Sequence, residues 1–292
     1  MTPDTILGGR EVSTKKKIRS TWLLWPALFM LVAFFLIPTL DILRASVYDP
    51  EFTTKHFTKL FSSNVYLDVL WRTIRLSCIV ALICAVIAYP ISYFIVQRPR
   101  KQQIFFLFLV FIPLWMSVLI RSYAWMVVLG REGLINAILI GLGFTDAPVK
   151  MLFTTGAVYV AMVQILLPIQ IVTCYSAMTE IDLDLMRAAR ILGAKPWQAI
   201  RRVFLPLSLD GTVTGAIIVF MLSMGFFITP ALVGGRKDIM MANLIEFQVN
   251  QLNWGFAAAI SIVLLIGTVL CVIIIKRLSK ILTGRLVGGG NA

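Results

Sequence analysis

The chain has 292 residues, of which 59% are hydrophobic and only 14% are charged, and its mean hydropathy is +0.89. These values exclude an ordinary soluble domain of this length. The formal net charge of +13 does not indicate a nucleic-acid partner, because the basic residues lie mainly between long apolar runs, as in membrane proteins.

Six apolar runs are long enough to cross a bilayer as helices, for which about 20 residues are needed. They lack the strict two-residue alternation of barrel strands, and a helix satisfies its own backbone hydrogen bonds in lipid. The runs comprise residues 22–43, 74–96, 104–128, 152–178, 212–232 and 254–275. The sequence therefore predicts an all-α polytopic membrane protein with a cytoplasmic tail at 1–20, a six-helix transmembrane domain at 21–285 and a C-terminal tail at 286–292.

The distribution of lysine and arginine predicts the orientation of these helices. If the N-terminus is cytoplasmic, most of the 27 basic residues fall on the cytoplasmic side. Cytoplasmic connections of membrane proteins carry such an excess. We therefore expect both termini in the cytoplasm.

Two external connections contain short helical patterns. Residues 134–142 are apolar but too few to span, and so is the sequence MMANLIEFQV in the connection 233–253. The four cysteines fall inside predicted spans without metal-ligand spacing, and the single histidine, His56, has no nearby ligand partner in the sequence. The sequence predicts neither a metal site nor an enzyme active site.

Five residues are candidates for lining a path through the membrane, namely Trp115, Arg121, Tyr123, Trp125 and Glu246. Arg121 lies about 26 Å along its run from the cytoplasmic end. It either snorkels or pairs structurally, or it lines an external gate. Tyr123 and Trp125 fit an interfacial aromatic belt or a surface for a cationic substrate. Pro113 is expected to kink the same helix towards the path.

Glu246 is an acidic residue in an apolar stretch just before the last run. An unpaired carboxylate in such surroundings is unfavourable. The residue therefore either pairs with Arg236 or Lys237, or offers negative charge to a cationic substrate.

A polar segment, residues 180–206, separates the fourth and fifth apolar runs. Asp182 and Asp184 suit the N-terminus of a first short helix, and Gly193 suits the left-handed position that ends it. Pro196 suits the first turn of a second short helix, which Pro206 is expected to end. The pattern thus predicts a helix, a sharp bend and another helix.

Two side chains of the second helix indicate how it packs. Trp197 and Phe204 are seven residues apart, so we expect both on one face that packs against the membrane domain. For the whole polar segment, an amphipathic loop whose arginines bind lipid phosphates is the alternative to a docking element.

The polar segment resembles the cytoplasmic coupling loop of permease subunits of binding-protein-dependent ABC importers. That pattern is Glu-Ala-Ala, three residues, a glycine, nine residues and then I-x-L-P. Here Arg187-Ala188-Ala189 is followed at these spacings by Gly193 and by a stretch that ends in Leu205-Pro206. The resemblance implies that residues 180–206 form the coupling loop. It assigns ATPase coupling to Asp184, Arg187, Ala188, Ala189, Gly193, Ala194, Leu205 and Pro206.

One position departs from the family pattern. Arg187 stands where the family has glutamate, so the charge is reversed and the role of that carboxylate does not transfer. Asp184 lies three residues earlier and is expected to face the same side of the helix and to neutralise Arg187 in part.

The resemblance extends over residues 20–280 to the spermidine/putrescine-type permeases. It is carried by the segments IPLWMSVLIRSYAWMVVLGREGLIN and FITPALVGG, and by MMANLIEFQVNQLNWGFAAAIS. It implies a bacterial inner-membrane subunit with the type I importer fold and a polyamine-like substrate. The implied partners are a second permease subunit, two cytoplasmic ATPases and a periplasmic solute-binding protein.

This chain contains no phosphate-binding loop of the GxxxxGK[ST] type. ATP and Mg²⁺ are therefore expected on the partner ATPases, with no cofactor on this chain. An opine, a phosphonate or an amino-acid-like solute is the alternative substrate class, and a secondary transporter is the alternative type of protein.

Overall fold

The computed structural model describes residues 24–48, 51–182 and 184–288, with side chains described as far as residue 281. The predicted tail at 1–20 and residues 289–292 lie outside the described residues. Helices dominate, and the described part of the chain contains no strand beyond one isolated bridge between Tyr48 and Phe52.

Five helices are long and apolar enough to cross a membrane, and a bent pair makes up a sixth span within the described residues. The five are α1 (Trp25–Val47), α3 (Asn64–Val96), α7 (Thr155–Thr179), α9 (Pro196–Met224) and α12 (Trp254–Gly288). The bent pair is α4 (Arg100–Trp115) and α5 (Val118–Val128). The predicted fold class is confirmed.

Shorter helices connect the spans. They are α2 (Lys55–Ser62), α6 (Leu134–Gly141), α8 (Asp184–Ile191), α10 (Ile228–Val233) and α11 (Met241–Asn250). The short helices expected near 134–142 and in MMANLIEFQV correspond to α6 and α11. The last span is longer than its apolar run, because α12 continues to Gly288, into the segment predicted as a C-terminal tail.

Three helices, α3, α7 and α9, form the centre of the domain. Their contact is close because α9 carries Gly211 and Gly215 where it meets α7: a Cβ atom built on Gly211 would lie 1.9 Å from the Cβ of Ala177. A Cβ on Gly215 would lie 2.9 Å from Nε2 of Gln170, a fully buried amide that donates to the carbonyl of Thr212. The pair of glycines thus sets the spacing between these helices.

The third predicted span, residues 104–128, is not a straight helix. Its two halves, α4 and α5, are bent by 91° at Met116 and Ser117. Pro113 lies one turn before the break, and the Ser117 side chain accepts a hydrogen bond from the amide of Leu119 to cap α5. The predicted kink is therefore a turn of about a right angle between two separate helices.

Pro206 does not end a short helix, and that prediction is wrong. The helix that begins at Pro196 runs through Pro206 to Met224, so the fifth span begins well before residue 212. A π-helical turn at Ile200–Phe204 lies within this helix, just before Pro206. Such a wide turn accommodates the proline ring, which would otherwise clash with the carbonyl four residues earlier.

Candidate functional site: the polar segment and the outer helix break

The first half of the polar segment has the predicted helix and bend. The Oδ1 atom of Asp182 accepts a hydrogen bond of 2.8 Å from the amide of Asp184, which begins α8. Gly193 has φ +89°, and its amide donates to the carbonyl of Arg190 while the Ala194 amide donates to that of Ala189. This pair of hydrogen bonds is the Schellman arrangement, so Gly193 ends α8 and turns the chain towards α9.

The polar segment is anchored to the membrane domain by a few buried side chains. Met186, Ala199 and Phe204 are buried in a cluster that includes Met178 and Cys174 of α7. Both arms of the bend are thereby fixed to the core.

Trp197 does not pack against the membrane domain, and that prediction is wrong. Its side chain is 68% exposed, whereas Phe204 is fully buried. The π-helical turn at Ile200–Phe204 contains an extra residue per turn, so it rotates residues after it relative to those before it. A spacing of seven therefore no longer places two side chains on one face.

The outer surface of the bend carries exposed apolar side chains. Ile191 and Leu192 are 86% and 87% exposed, which is more than Trp197. A contiguous exposed apolar patch rimmed by charges is typical of a protein-interaction site. Ile191 and Leu192 are therefore not covered by the rest of the described chain.

Arg187 pairs with Asp184, as the spacing predicts. The Nη1 atom lies 2.6 Å from Oδ1, and both side chains are mostly exposed. An exposed pair of this kind contributes little to stability, about 0–1 kcal/mol. Both groups therefore remain available to a partner.

The remaining members of the predicted coupling set follow the chain around the bend. Ala188 is exposed, Ala189 and Ala194 are half-buried, and Leu205 and Pro206 lie in α9 at the edge of the membrane domain. The structure therefore brings Asp184 to Ala194 together on one element and places Leu205 and Pro206 at its base.

Two helix breaks meet at the opposite end of the domain. One separates α4 from α5, and the other lies at Gly225, Phe226 and Phe227 between α9 and α10. Together Val118, Ile228 and residues 225–227 line a recess of about 160 Å³. We call these two interruptions and the recess between them the outer helix break.

Polar side chains hold the outer helix break together. The hydroxyl groups of Ser122 and Thr229 lie 2.8 Å apart and are buried. Asn243 of α11 donates to the carbonyl of Phe227 at 2.8 Å. None of these residues was a candidate from the sequence, because a hydroxyl pair 107 positions apart leaves no local pattern. Gly225, with Thr229-Pro230 beginning four residues later, is a local sign of a break.

The structure separates the five predicted pathway residues. Trp115 and Tyr123 are exposed, at 73% and 52%, and the Trp115 ring packs edge-on against Phe108. The Trp125 indole nitrogen donates to Gln164 of α7 at 3.2 Å. These aromatic groups therefore divide into two exposed rings and one that braces α5 against α7.

Arg121 is buried rather than snorkelling at a surface, with only 7% of the residue exposed. Its Nη1 atom donates to the carbonyl of Ile165 at a long distance of 3.4 Å, and Nε has no hydrogen-bond partner. Among the described residues no carboxylate pairs with it. A buried guanidinium with so few partners is unusual in a membrane domain.

Glu246 lies on α11 and is exposed. Its carboxylate accepts a hydrogen bond of 2.8 Å from Asn250. It makes no ion pair with Arg236 or Lys237 within the described part of the chain. The structural pairing considered for this residue is thus not formed.

Similar proteins identify the family of this chain. Residues 23–286 match the family model of the binding-protein-dependent transport system inner membrane component. The chain is 34% identical over 265 residues to the spermidine/putrescine transport system permease protein PotB of Escherichia coli, covering 88% of this chain and 96% of that protein. It is 36% identical over 266 residues to PotB of Haemophilus influenzae, covering 88% and 92%.

Solved structures with the same fold include membrane transporters of two kinds. A bacterial ABC transporter that imports the acidic polysaccharide alginate matches with a TM-score of 0.72 at 18% identity, covering 91% of this chain and 98% of that chain. The methionine ABC transporter MetNI matches with a TM-score of 0.54 at 20% identity, covering 75% and 95%. The chain belongs to the family of binding-protein-dependent transport system inner membrane components, and it is a multi-pass inner-membrane permease subunit of an ABC importer.

Proposed function

We propose that this permease subunit forms half of the translocation pathway for a polyamine-like cation. The observation that carries the proposal is the similarity to PotB proteins, which covers 88% of the chain at 34–36% identity. The exposed rings of Trp115 and Tyr123 support it, because aromatic faces attract organic cations.

The proposed assembly contains a second permease subunit, two cytoplasmic ATPases and a periplasmic solute-binding protein. ATP and Mg²⁺ bind to the ATPases, and this chain carries out no covalent chemistry. The exposed apolar patch and basic side chains of the polar segment support docking of an ATPase there. In this proposal both termini and the polar segment are cytoplasmic, as the distribution of basic residues indicates.

The proposed mechanism is alternating access. When ATP binding closes the two ATPases, residues 185–204 move with them as one body, because buried side chains of the segment are packed against α7. The helices α7 and α9, which flank the segment, then change the side on which the pathway is open.

Uptake by the intact transporter tests the substrate class. We expect proteoliposomes that contain the complete transporter and its binding protein to accumulate labelled spermidine or putrescine only with ATP inside. Deleting residues 185–204 should abolish copurification of the ATPase. ATP-independent uptake, or an ATPase that still copurifies with the deletion variant, would overturn the proposal.

A second substrate class has one observation in its favour. Arg121 is buried without a carboxylate partner, and a guanidinium in this state binds carboxylates or phosphonates well. An opine, a phosphonate or an amino-acid-like solute is therefore the second candidate. Competition of such anions, but not of polyamines, for uptake would select this class.

We expect Glu246→Gln to raise the concentration of a cationic solute that gives half-maximal uptake by about fivefold, since one exposed charge contributes modestly. The measurement is initial uptake rate against solute concentration. The control is Glu132→Gln, which removes an exposed acid from another external connection. If both variants transport like the parent, Glu246 has no role in recognising the solute.

We expect Arg187→Glu to weaken association of the ATPase by about tenfold, and Arg187→Lys to preserve most of it, if the ATPase presents an acidic group here. Affinity is measured with the purified permease complex and ATPase in detergent. Lys101→Glu, in the first turn of α4, changes net charge equally and serves as the control. If the ATPase binds equally well with a positive or a negative side chain at position 187, the expectation is contradicted.

A further inference from the structure

A recess lies inside the bend of the polar segment, between α8 and the start of α9. Its volume is about 400 Å³. Four small residues of its lining, Ala189, Gly193, Ala194 and Ala199, offer at most a methyl group each. The two arms of the bend are fixed by buried Met186 and Phe204, so the recess is not closed by a simple approach of the helices.

Two hydrogen-bond donors stand in the wall of this recess, which we call the elbow recess. Arg202 is exposed and makes neither a hydrogen bond nor an ion pair with any described residue. Gln198 uses its Oε1 atom to accept a hydrogen bond of 2.9 Å from the amide of Lys195, which leaves its amide nitrogen free to donate. The wall therefore offers a cation and an amide donor but no acidic group.

The surroundings of the elbow recess suit a protein side chain. Leu192 lines the recess and is 87% exposed, and its neighbour Ile191 is 86% exposed. Apolar side chains beside small residues and a guanidinium suit a short side chain with methylene groups and a terminal carboxylate. The exposed leucine and isoleucine then pack on the surface that carries this side chain.

We propose that an aspartate or glutamate side chain of the ATPase enters the elbow recess. Its methylene groups contact Ala189 and Ala194, and its carboxylate accepts hydrogen bonds from Arg202 and Gln198. The inference rests on the proposed function, in which the polar segment docks an ATPase, and adds which chemical group of the ATPase is held and where.

Zero-length crosslinking tests the contact directly. In the assembled transporter, Arg202→Lys places an amine in the elbow recess, and a carbodiimide joins an amine to a carboxylate only when the two are in contact. We expect mass spectrometry to find position 202 joined to an acidic residue of the ATPase. Arg201→Lys is the matched control, since Arg201 is exposed and adjacent but does not line the recess. No crosslink at 202, or equal crosslinking at 201, overturns the proposal.

A binding measurement separates this inference from the proposed function. We expect Arg202→Met to weaken ATPase association by about tenfold, while Arg201→Met leaves it within about twofold. Equal effects of the two variants overturn the recess contact. If the ATPase is nevertheless lost on deletion of 185–204, docking at the polar segment stands without it. An ATPase that binds the deletion variant contradicts both.

Discussion

Replacing Gly211 by alanine is expected to destabilise the transporter more than the same substitution at any other helical glycine whose surroundings the structure describes. The new Cβ would lie 1.9 Å from the Cβ of Ala177 and 3.5 Å from its Cα. Neither atom can rotate away, so α7 and α9 must move apart. Overpacking of this kind costs about 1–3 kcal/mol. We expect a lower yield of folded protein and a lower melting temperature in detergent.

Two further variants show whether the contact itself is responsible. Ala177→Gly combined with Gly211→Ala removes the opposing Cβ and should restore most of the lost stability, which a double-mutant cycle quantifies. Gly156→Ala, also in a helix, meets only the Thr154 hydroxyl at 3.8 Å and should be neutral or slightly stabilising. An unchanged melting temperature for Gly211→Ala contradicts the close packing of α7 and α9.

Gly193→Val is expected to uncouple ATP hydrolysis from transport in a transporter that still assembles. At φ +89° a side chain is strained, by about 1–2 kcal/mol for an ordinary residue and more for a β-branched one. A Cβ at this position meets no atom within 4 Å, so the effect is on backbone conformation and not on packing. The strain opens the end of α8 and changes the angle between the two arms of the bend. We expect transport per ATP hydrolysed to fall by about tenfold or more.

The choice of residue at position 193 provides the control. Asparagine tolerates left-handed backbone, so Gly193→Asn should retain most transport. Gly143 also has positive φ, +72°, with open space around it, but lies between α6 and α7, so Gly143→Val tests equal strain outside the polar segment. The bend has no special role in coupling if Gly193→Val leaves transport per ATP unchanged. The same conclusion follows if Gly143→Val lowers transport per ATP as much as Gly193→Val does.

Local features of the structure could be predicted from the sequence. The spans follow from the length of apolar runs, because lipid leaves a chain few ways to satisfy its backbone. The end of α8 at Gly193 and the ion pair between Asp184 and Arg187 follow from spacings of a few residues. These features depend on neighbours in the chain, and the family resemblance rests on the same spacings.

Features set by distant residues could not be predicted in this way. Pro206 has the local signature of a helix end, yet a π-helical turn lets α9 pass through it. That same turn rotates Trp197 out to solvent. Whether a helix continues through a proline depends on how the rest of the helix packs, and the residues around the proline do not specify that packing.

The outer helix break shows the same limit more strongly. The direction of α5 after its 91° bend is held by α10, through the hydroxyl pair of Ser122 and Thr229. The start of α10 is in turn bonded to α11, where Asn243 donates to the carbonyl of Phe227. Burial of Arg121 against the carbonyl of Ile165 is a consequence of that bend. A straight helix would have placed this residue near the outer boundary, as its position in the apolar run suggested.

The continuity of α9 has a mechanical consequence. This helix is 29 residues long, which corresponds to about 43 Å, and it joins the bend of the polar segment at Pro196 to the outer helix break after Met224. Gly211, where α9 touches Ala177 most closely, lies near its midpoint. A rigid rod that tilts about its middle moves its two ends in opposite directions. In the proposed assembly with a second permease subunit, bringing the Pro196 ends of two such helices together would spread their far ends apart. One motion would then open one side of the membrane while closing the other.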